Sequence, residues 1–357
     1  MFSEGADGVQ LTRDNHVASL RLQASPNTRA LFNDTTVNGI GTLKLAGLTA
    51  VGQVQILARD AVRSGHIIVN DLYIEQADTR ESQPRPQGYG VEVLQGAITI
   101  WNQHADATIF ITADLTGLSA GSKDAPVRGS GIFVSGGGDT SGRLEVSRLH
   151  TCSVFSDGGI PEGTAGQITG AIFVVYGAHV KDVTNIGPVT TYGVNDMVLD
   201  NWGTVDCWTV KAPVTSYGPS GIGFVNFGFI DQLIITALVE TFGIGARGFN
   251  IYAGTINVAE FDRIETHADA AVGIQISRPF GRLIVHNGIE THGGEGDSLV
   301  KGVITRLAAV GLSLKPGSIG REIHVEGGII AHGVMVPAIE SHGRIDKITI
   351  CDRGNIK

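Results

Sequence analysis

"LVETFGIGARGFNIYAGTINVAEFDRIETHA", residues 238–268, carries one six-residue unit twice: Leu238-Val-Glu-Thr-Phe-Gly at its start and Arg263-Ile-Glu-Thr-His-Ala at its end, 25 residues later. The unit also stands at 188–193 (PVTTYG), 213–218 (PVTSYG) and 288–293 (GIETHG), so Tyr192, Tyr217, Phe242, His267 and His292 follow one another at a spacing of 25. A fixed period of this size marks a solenoid. Helical repeats need amphipathic pairs rich in Ala, Leu, Glu and Lys, and leucine-rich repeats need their L-x-x-L-x-L frame; the chain has neither. What remains is a coil of short parallel strands joined by turns.

A second strand follows each turn: GVEVLQG (90–96), GIFVSGG (131–137), AIFVVYG (171–177), GFVNFG (223–228), GFNIYAG (248–254) and GIQIS (273–277). A third follows that, as in GTVDCWTV (203–210) and GFIDQLII (228–235). Roughly ten coils of about 25 residues fit between residues 8 and 350, all within one domain spanning 1–357. Parallel rungs lie about 4.8 Å apart, which makes a rod on the order of 45 Å long. Parallel crossovers are right-handed in nearly every case. The expected fold is therefore all-β, a right-handed parallel β-helix.

With this periodicity the chain resembles the right-handed parallel β-helix superfamily, the pectin-lyase-like fold. That resemblance implies a carbohydrate-active protein, a polysaccharide lyase, glycoside hydrolase or transferase. The sequence departs from the enzyme families of the fold. No Asp-Asp pair occurs anywhere, so the polygalacturonase pattern is not met, and MVLDNWG (197–203) is only a distant echo of the pectate-lyase Trp-Ile-Asp-His segment. A non-catalytic binding or assembly protein of the tailspike or surface-fibre kind is the alternative.

Side chains alternate along a strand. In LVETFG, Val239 and Thr241 point inward, Glu240 and Phe242 outward. Stacked coils then build two outward stripes: Thr190, Thr215, Glu240, Glu265, Glu290, and Tyr192, Tyr217, Phe242, His267, His292, with His332 of IIAHG extending the second. Long connections at 78–88, 116–128, 156–170 and 293–301 flank short ones, predicting a loop-walled trough with residues 190–293 as its floor. Like charges one rung apart repel, which singles out Glu240, Glu265 and Glu290, with His267 and His292, as candidate catalytic groups. Adjacent and alternate rungs set carboxylates roughly 5 and 10 Å apart, near the retaining and inverting glycosidase spacings. A solvated face relieved by Arg263 or Arg247 is the plainer explanation. Tyr192, Tyr217 and Phe242, with Arg247 and Asp269 at the neighbouring corner, are the candidate sugar-binding residues.

Other motifs yield to the repeat. Gly243, Gly245 and Gly248 match G-x-G-x-x-G, but a dinucleotide site needs a helix after the glycines, and FNIYAGTINV has no helical spacing. The glycines are assigned instead to a turn requiring positive φ and close backbone approach. Gly117-Leu-Ser119-Ala-Gly121 matches the nucleophile elbow, again with no helix to follow. Asn33-Asp-Thr35 is a formal glycosylation sequon.

Composition sets the remaining bounds. Fifty glycines and only 17% charged residues suit a turn-rich β protein. With 26 basic against 35 acidic residues the net charge is −9, which argues against nucleic acid as a partner. No apolar run approaches a membrane span. MFSEGADGVQ lacks a basic n-region and an apolar h-region, so the expected location is cytoplasmic, or secreted if a leader precedes this sequence. Three scattered cysteines exclude a disulfide framework and a zinc knuckle. No acidic cluster forms a calcium cage, and no cofactor or metal is expected. The open ends of a solenoid expose backbone groups and apolar interior, so the protein is expected to form a homo-oligomer.

Overall fold

The computed structural model describes residues 5–300 and 303–351, with side chains described except at Leu299 and Val300. These residues are all-β, without helix, and their strands stack in parallel register as a β-solenoid. Twelve second strands form one continuous parallel sheet among the described residues, about 50 Å from first to last. Sequence periodicity counted roughly ten. The difference lies where the period is least regular, at Val9–Leu11 and Arg29–Asn33 near the start and Ile339–Ser341 near the end.

The register follows the repeat. On the first strands Val189, Val214, Val239, Ile264, Ile289 and Ile329 pair in succession. Each of the first five is 1% exposed or less. Thr191, Ser216, Thr241, Thr266 and Thr291 form a second buried column beside them. On the second strands Leu199, Phe224, Phe249, Ile274 and Leu312 are likewise in register and fully buried. Trp208 comes in from a third strand and meets Phe224 at 4.9 Å between ring centroids. Third strands run into the next first strand with a local register shift, as in Phe229–Thr241.

Gly243 and Gly245 stand at a coil corner and Gly248 is the second residue of the strand Arg247–Ile251, which takes the place of any helix. Only Gly245 has positive φ, +66°. Gly243 and Gly248 are required by close approach: a Cβ on Gly243 would lie 1.9 Å from the Gly218 carbonyl oxygen, and one on Gly248 would lie 2.3 Å from a methyl of Ile264. Ser119 belongs to the strand Phe110–Ala120, which likewise leads into no helix.

Three segments depart from the sequence reading. Residues 90–96 are not a rung of the sheet. Val91–Val93 pairs antiparallel with Gln87–Gly88 and parallel with Gln167–Ile168, and Gly96–Asn102 is the rung. The alternation in Val91-Glu92-Val93 is shared by any half-buried strand, so it could not distinguish the two. The stretch 116–128 is strand as far as Ala120, not loop throughout. Glu295–Val300 pairs antiparallel with Val303–Ala308, so the lengthened connection after His292 is a hairpin.

Candidate functional site

The outward stripes form as register dictates. Thr190, Thr215, Glu240, Glu265 and Glu290 pair in consecutive rungs. Beside them Tyr192, Tyr217, Phe242, His267, His292 and His332 stack face to face, at 4.5 to 5.4 Å between centroids and within 13° of parallel. The two stripes are cross-linked, because each glutamate accepts a hydrogen bond from the imidazole one coil further on. His267 Nε2 donates to Glu240 Oε1 at 2.8 Å, His292 Nε2 to Glu265 Oε1 at 2.8 Å, and His332 Nε2 to Glu290 Oε1 at 2.7 Å.

Arg263 donates to Glu265 Oε2 at 3.3 Å and to Glu290 Oε2. The repulsion expected of three stacked glutamates is therefore relieved by Arg263 and by the histidines. Arg247 takes no part: it faces out from the second sheet, in register with Ile222 and Val272. Asp269 caps a turn by accepting from the Gly294 N–H at 2.7 Å.

The hydrogen bond from His332 is the main reason the Glu290 carboxyl sits below its usual pKa; partial burial opposes it, and Arg263 and the two histidines assist. A carboxyl depressed in the folded state stabilises the fold above its unfolded value of about 4.3 and loses that contribution as pH falls through the lower folded value. Glu290→Gln should therefore flatten the acid side of the stability profile below about pH 4.3, read by thermal melts from pH 3 to 6. Arg263→Met, which leaves Glu265 and Glu290 facing each other, should cost about 1 kcal/mol at neutral pH.

A second surface lies on the outer face of the second sheet. Here two of the long connections act as walls. Tyr89 and Gly90 of one loop and Ala165 and Gly166 of another border an open groove of about 1020 Å³. They turn this way because the outer face is apolar and aromatic: Phe133, Phe173, Met197, Trp202, Ile222 and Val225 form a buried cluster outside the solenoid core. Tyr89 covers it, 5.0 Å from Trp202 and 4.5 Å from Phe227.

Asp196 secures the second wall. Its carboxyl accepts from the Gly158 N–H at 3.0 Å, the Gly193 N–H at 2.8 Å and the Thr169 hydroxyl at 2.5 Å. Burial pushes its pKa up to about 6 against those donors.

Phe227 and Tyr252 line the groove with rings 5.0 Å apart, among Asn195, Asn250, Gln275 and Arg278. Asn250 is 1% exposed and its Oδ1 has no hydrogen-bond partner. Arg247 is 7% exposed; it donates to Gln275 Oε1 at 3.3 Å and to the Gly245 carbonyl at 3.0 Å. Burial lowers its pKa, and it has no carboxylate partner among the described residues. Apart from Arg247, the sequence reading missed this surface. Its signal was present, since Trp202, Phe227 and Tyr252 share the 25-residue period.

Comparison with known proteins gives no match to this chain among family models, curated proteins or solved structures.

Proposed function

We propose that the protein binds an anionic saccharide chain in the groove on the outer face of its second sheet. The carrying observation is Arg247, a buried guanidinium that opens into an aromatic-lined groove with no carboxylate among the described residues to balance it. A buried cation is costly unless paired, and a ligand carboxylate or sulfate would supply the missing charge with the fork geometry that guanidinium favours. Arg278, likewise without a carboxylate partner among the described residues, lies on the same lining. Phe227 and Tyr252 offer ring faces for sugar C–H groups, and Asn195, Asn250 and Gln275 offer amides for hydroxyls. The reading takes the solenoid as a right-handed β-helix of the pectin-lyase-like kind, the hand that parallel crossovers favour.

Binding is the proposed role, without turnover at the glutamate stripe. Glu240, Glu265 and Glu290 are each engaged by a histidine, and two of them also by Arg263. The test is calorimetric titration with uronate-containing or sulfated oligosaccharides against neutral ones of equal length. Acidic chains should bind, and Arg247→Met should weaken them at least tenfold, the scale of a hydrogen bond to a charged group. Tyr252→Ala should weaken acidic and neutral chains alike. Equal affinity for neutral chains, or an Arg247→Met variant that binds as the parent does, would overturn the reading.

A further inference from the structure

The glutamate–histidine ladder contains two overlapping groups with the donor set of a transition-metal site. One is Glu290, His292 and His332; the other is Glu265, His267 and His292. In each, the available ligand atoms lie within 4.8 Å of one another. We infer that this edge of the solenoid binds one divalent transition-metal ion of the zinc class, held by Glu290 Oε1 and the Nε2 atoms of His292 and His332. The inference is independent of the saccharide groove, which lies on the other sheet.

Two imidazoles and a carboxylate make an open three-ligand set of the kind zinc uses when its fourth position holds water. Glu290 Oε1 lies 2.7 Å from His332 Nε2 and 3.8 Å from His292 Nε2. Metal–ligand bonds of about 2.0–2.1 Å set neighbouring tetrahedral donors roughly 3.3 Å apart. The two distances straddle that value, and the parallel His292 and His332 rings must tilt towards each other for both Nε2 lone pairs to meet one ion.

The stacking brings the two imidazoles side by side on one edge of the solenoid. The His292 and His332 rings are 4.7 Å apart and within 5° of parallel; His332 Nε2 faces Glu290, His292 Nε2 lies between Glu265 at 2.8 Å and Glu290 at 3.8 Å, and the ion takes the place of the Nε2 proton on each ring. Arg263 holds the other oxygen of Glu290, which leaves Oε1 facing the imidazoles, as outer-shell partners of metal ligands commonly do. Glu265 and Glu290 together outweigh the single charge of Arg263, so the surroundings still favour a cation. The side chains of Glu290, His292 and His332 are 21, 34 and 47% exposed, which gives an ion a path from solvent. The second group differs in that Glu265 is the more enclosed glutamate, at 18%. Because His292 belongs to both groups, an ion in one excludes an ion in the other.

The test is calorimetric titration of the full chain with ZnCl₂, with MgCl₂ as the hard-cation control and Co²⁺ as an optical probe. One Zn²⁺ should bind per chain with Mg²⁺ silent, and Co²⁺ should develop the visible band of a low-coordinate nitrogen–oxygen site. His292→Ala removes a ligand from both groups and should weaken Zn²⁺ at least tenfold. His332→Ala, at the most exposed ligand, should keep the fold by circular dichroism and either weaken Zn²⁺ or change the Co²⁺ band as the ion moves to the Glu265 group. His286→Ala, whose imidazole pairs with Glu260 outside both groups, should bind as the parent does. No Zn²⁺ uptake by the parent chain would overturn the inference. So would unchanged affinity and spectrum in either His292→Ala or His332→Ala.

Discussion

Asp200→Val should make the protein more stable at pH 8, by about 1–3 kcal/mol, the cost of one unsatisfied buried polar group. Asp200 is fully buried, and neither carboxyl oxygen has a hydrogen-bond partner. The Trp202 indole N–H lies nearby but lacks hydrogen-bond geometry. In the sheet Asp200 lies between Phe173 and Val225, so valine is already the residue one rung further on. Burial drives the Asp200 pKa well above the usual carboxylate range.

The sign follows from linkage. An acid whose folded pKa is raised binds more protons in the native than in the unfolded state. Native stability is then greatest below the unfolded value of about 3.9 and declines as pH rises towards the folded value. The gain from Asp200→Val should accordingly be larger at pH 8 than at pH 4 in urea melts. A variant less stable than its parent at pH 8 would mean that the carboxyl has a partner the fold depends on. Residues that cost stability are often retained for function, and Asp200 lies beneath the aromatic surface that Tyr89 covers.

Trp208→Ala should be the most damaging single substitution proposed, costing about 4 kcal/mol or more, since large-to-small changes at buried aromatics cost about 3–5 kcal/mol. Trp208 is fully buried against Phe224, and its indole N–H donates to Asn185 Oδ1 at 2.8 Å. Alanine would open a cavity in the middle of the coil stack and also orphan the Asn185 carbonyl. Trp208→Phe separates the two effects. It keeps most of the volume and should cost about 1–3 kcal/mol, the penalty of the orphaned acceptor. Because each coil contacts mainly its neighbours, the alanine variant should unfold with a broadened or split transition as the two flanks uncouple. A loss below about 1.5 kcal/mol for Trp208→Ala would show that the interior collapses around the gap, as some sites do.

The sequence by itself determined the solenoid, its period and the register of its first strands. A parallel stack places residue i beside residue i+25, so Val214 must meet Val239, and Glu240 must meet Glu265, once the coil length is known. Alternation then sends valine inward and glutamate outward, and the ring stack from Tyr192 to His332 follows. These features depend on local periodicity, which a single chain displays in full.

What only the tertiary structure decided is how things outside the period are placed. The loops at 78–95 and 156–170 have no repeat to fix their direction. They cover the second sheet because its outer face carries Phe173, Trp202 and Phe227, which gain more from burial than the charged stripe does. Arg263 was legible as a partner of the glutamates, but the imidazole partners were hidden, since a hydrogen bond from His292 to Glu265 depends on side-chain reach between coils and not on spacing alone. Arg247, read as a neighbour of the stripe, belongs to the groove because the corner at Gly245 turns the chain onto the other sheet before that side chain emerges. Asp196 and Asp200 are four residues apart on one strand and both buried. Three donors meet the first and none meets the second, a difference set by which neighbouring coils supply donors and therefore by the folded chain alone.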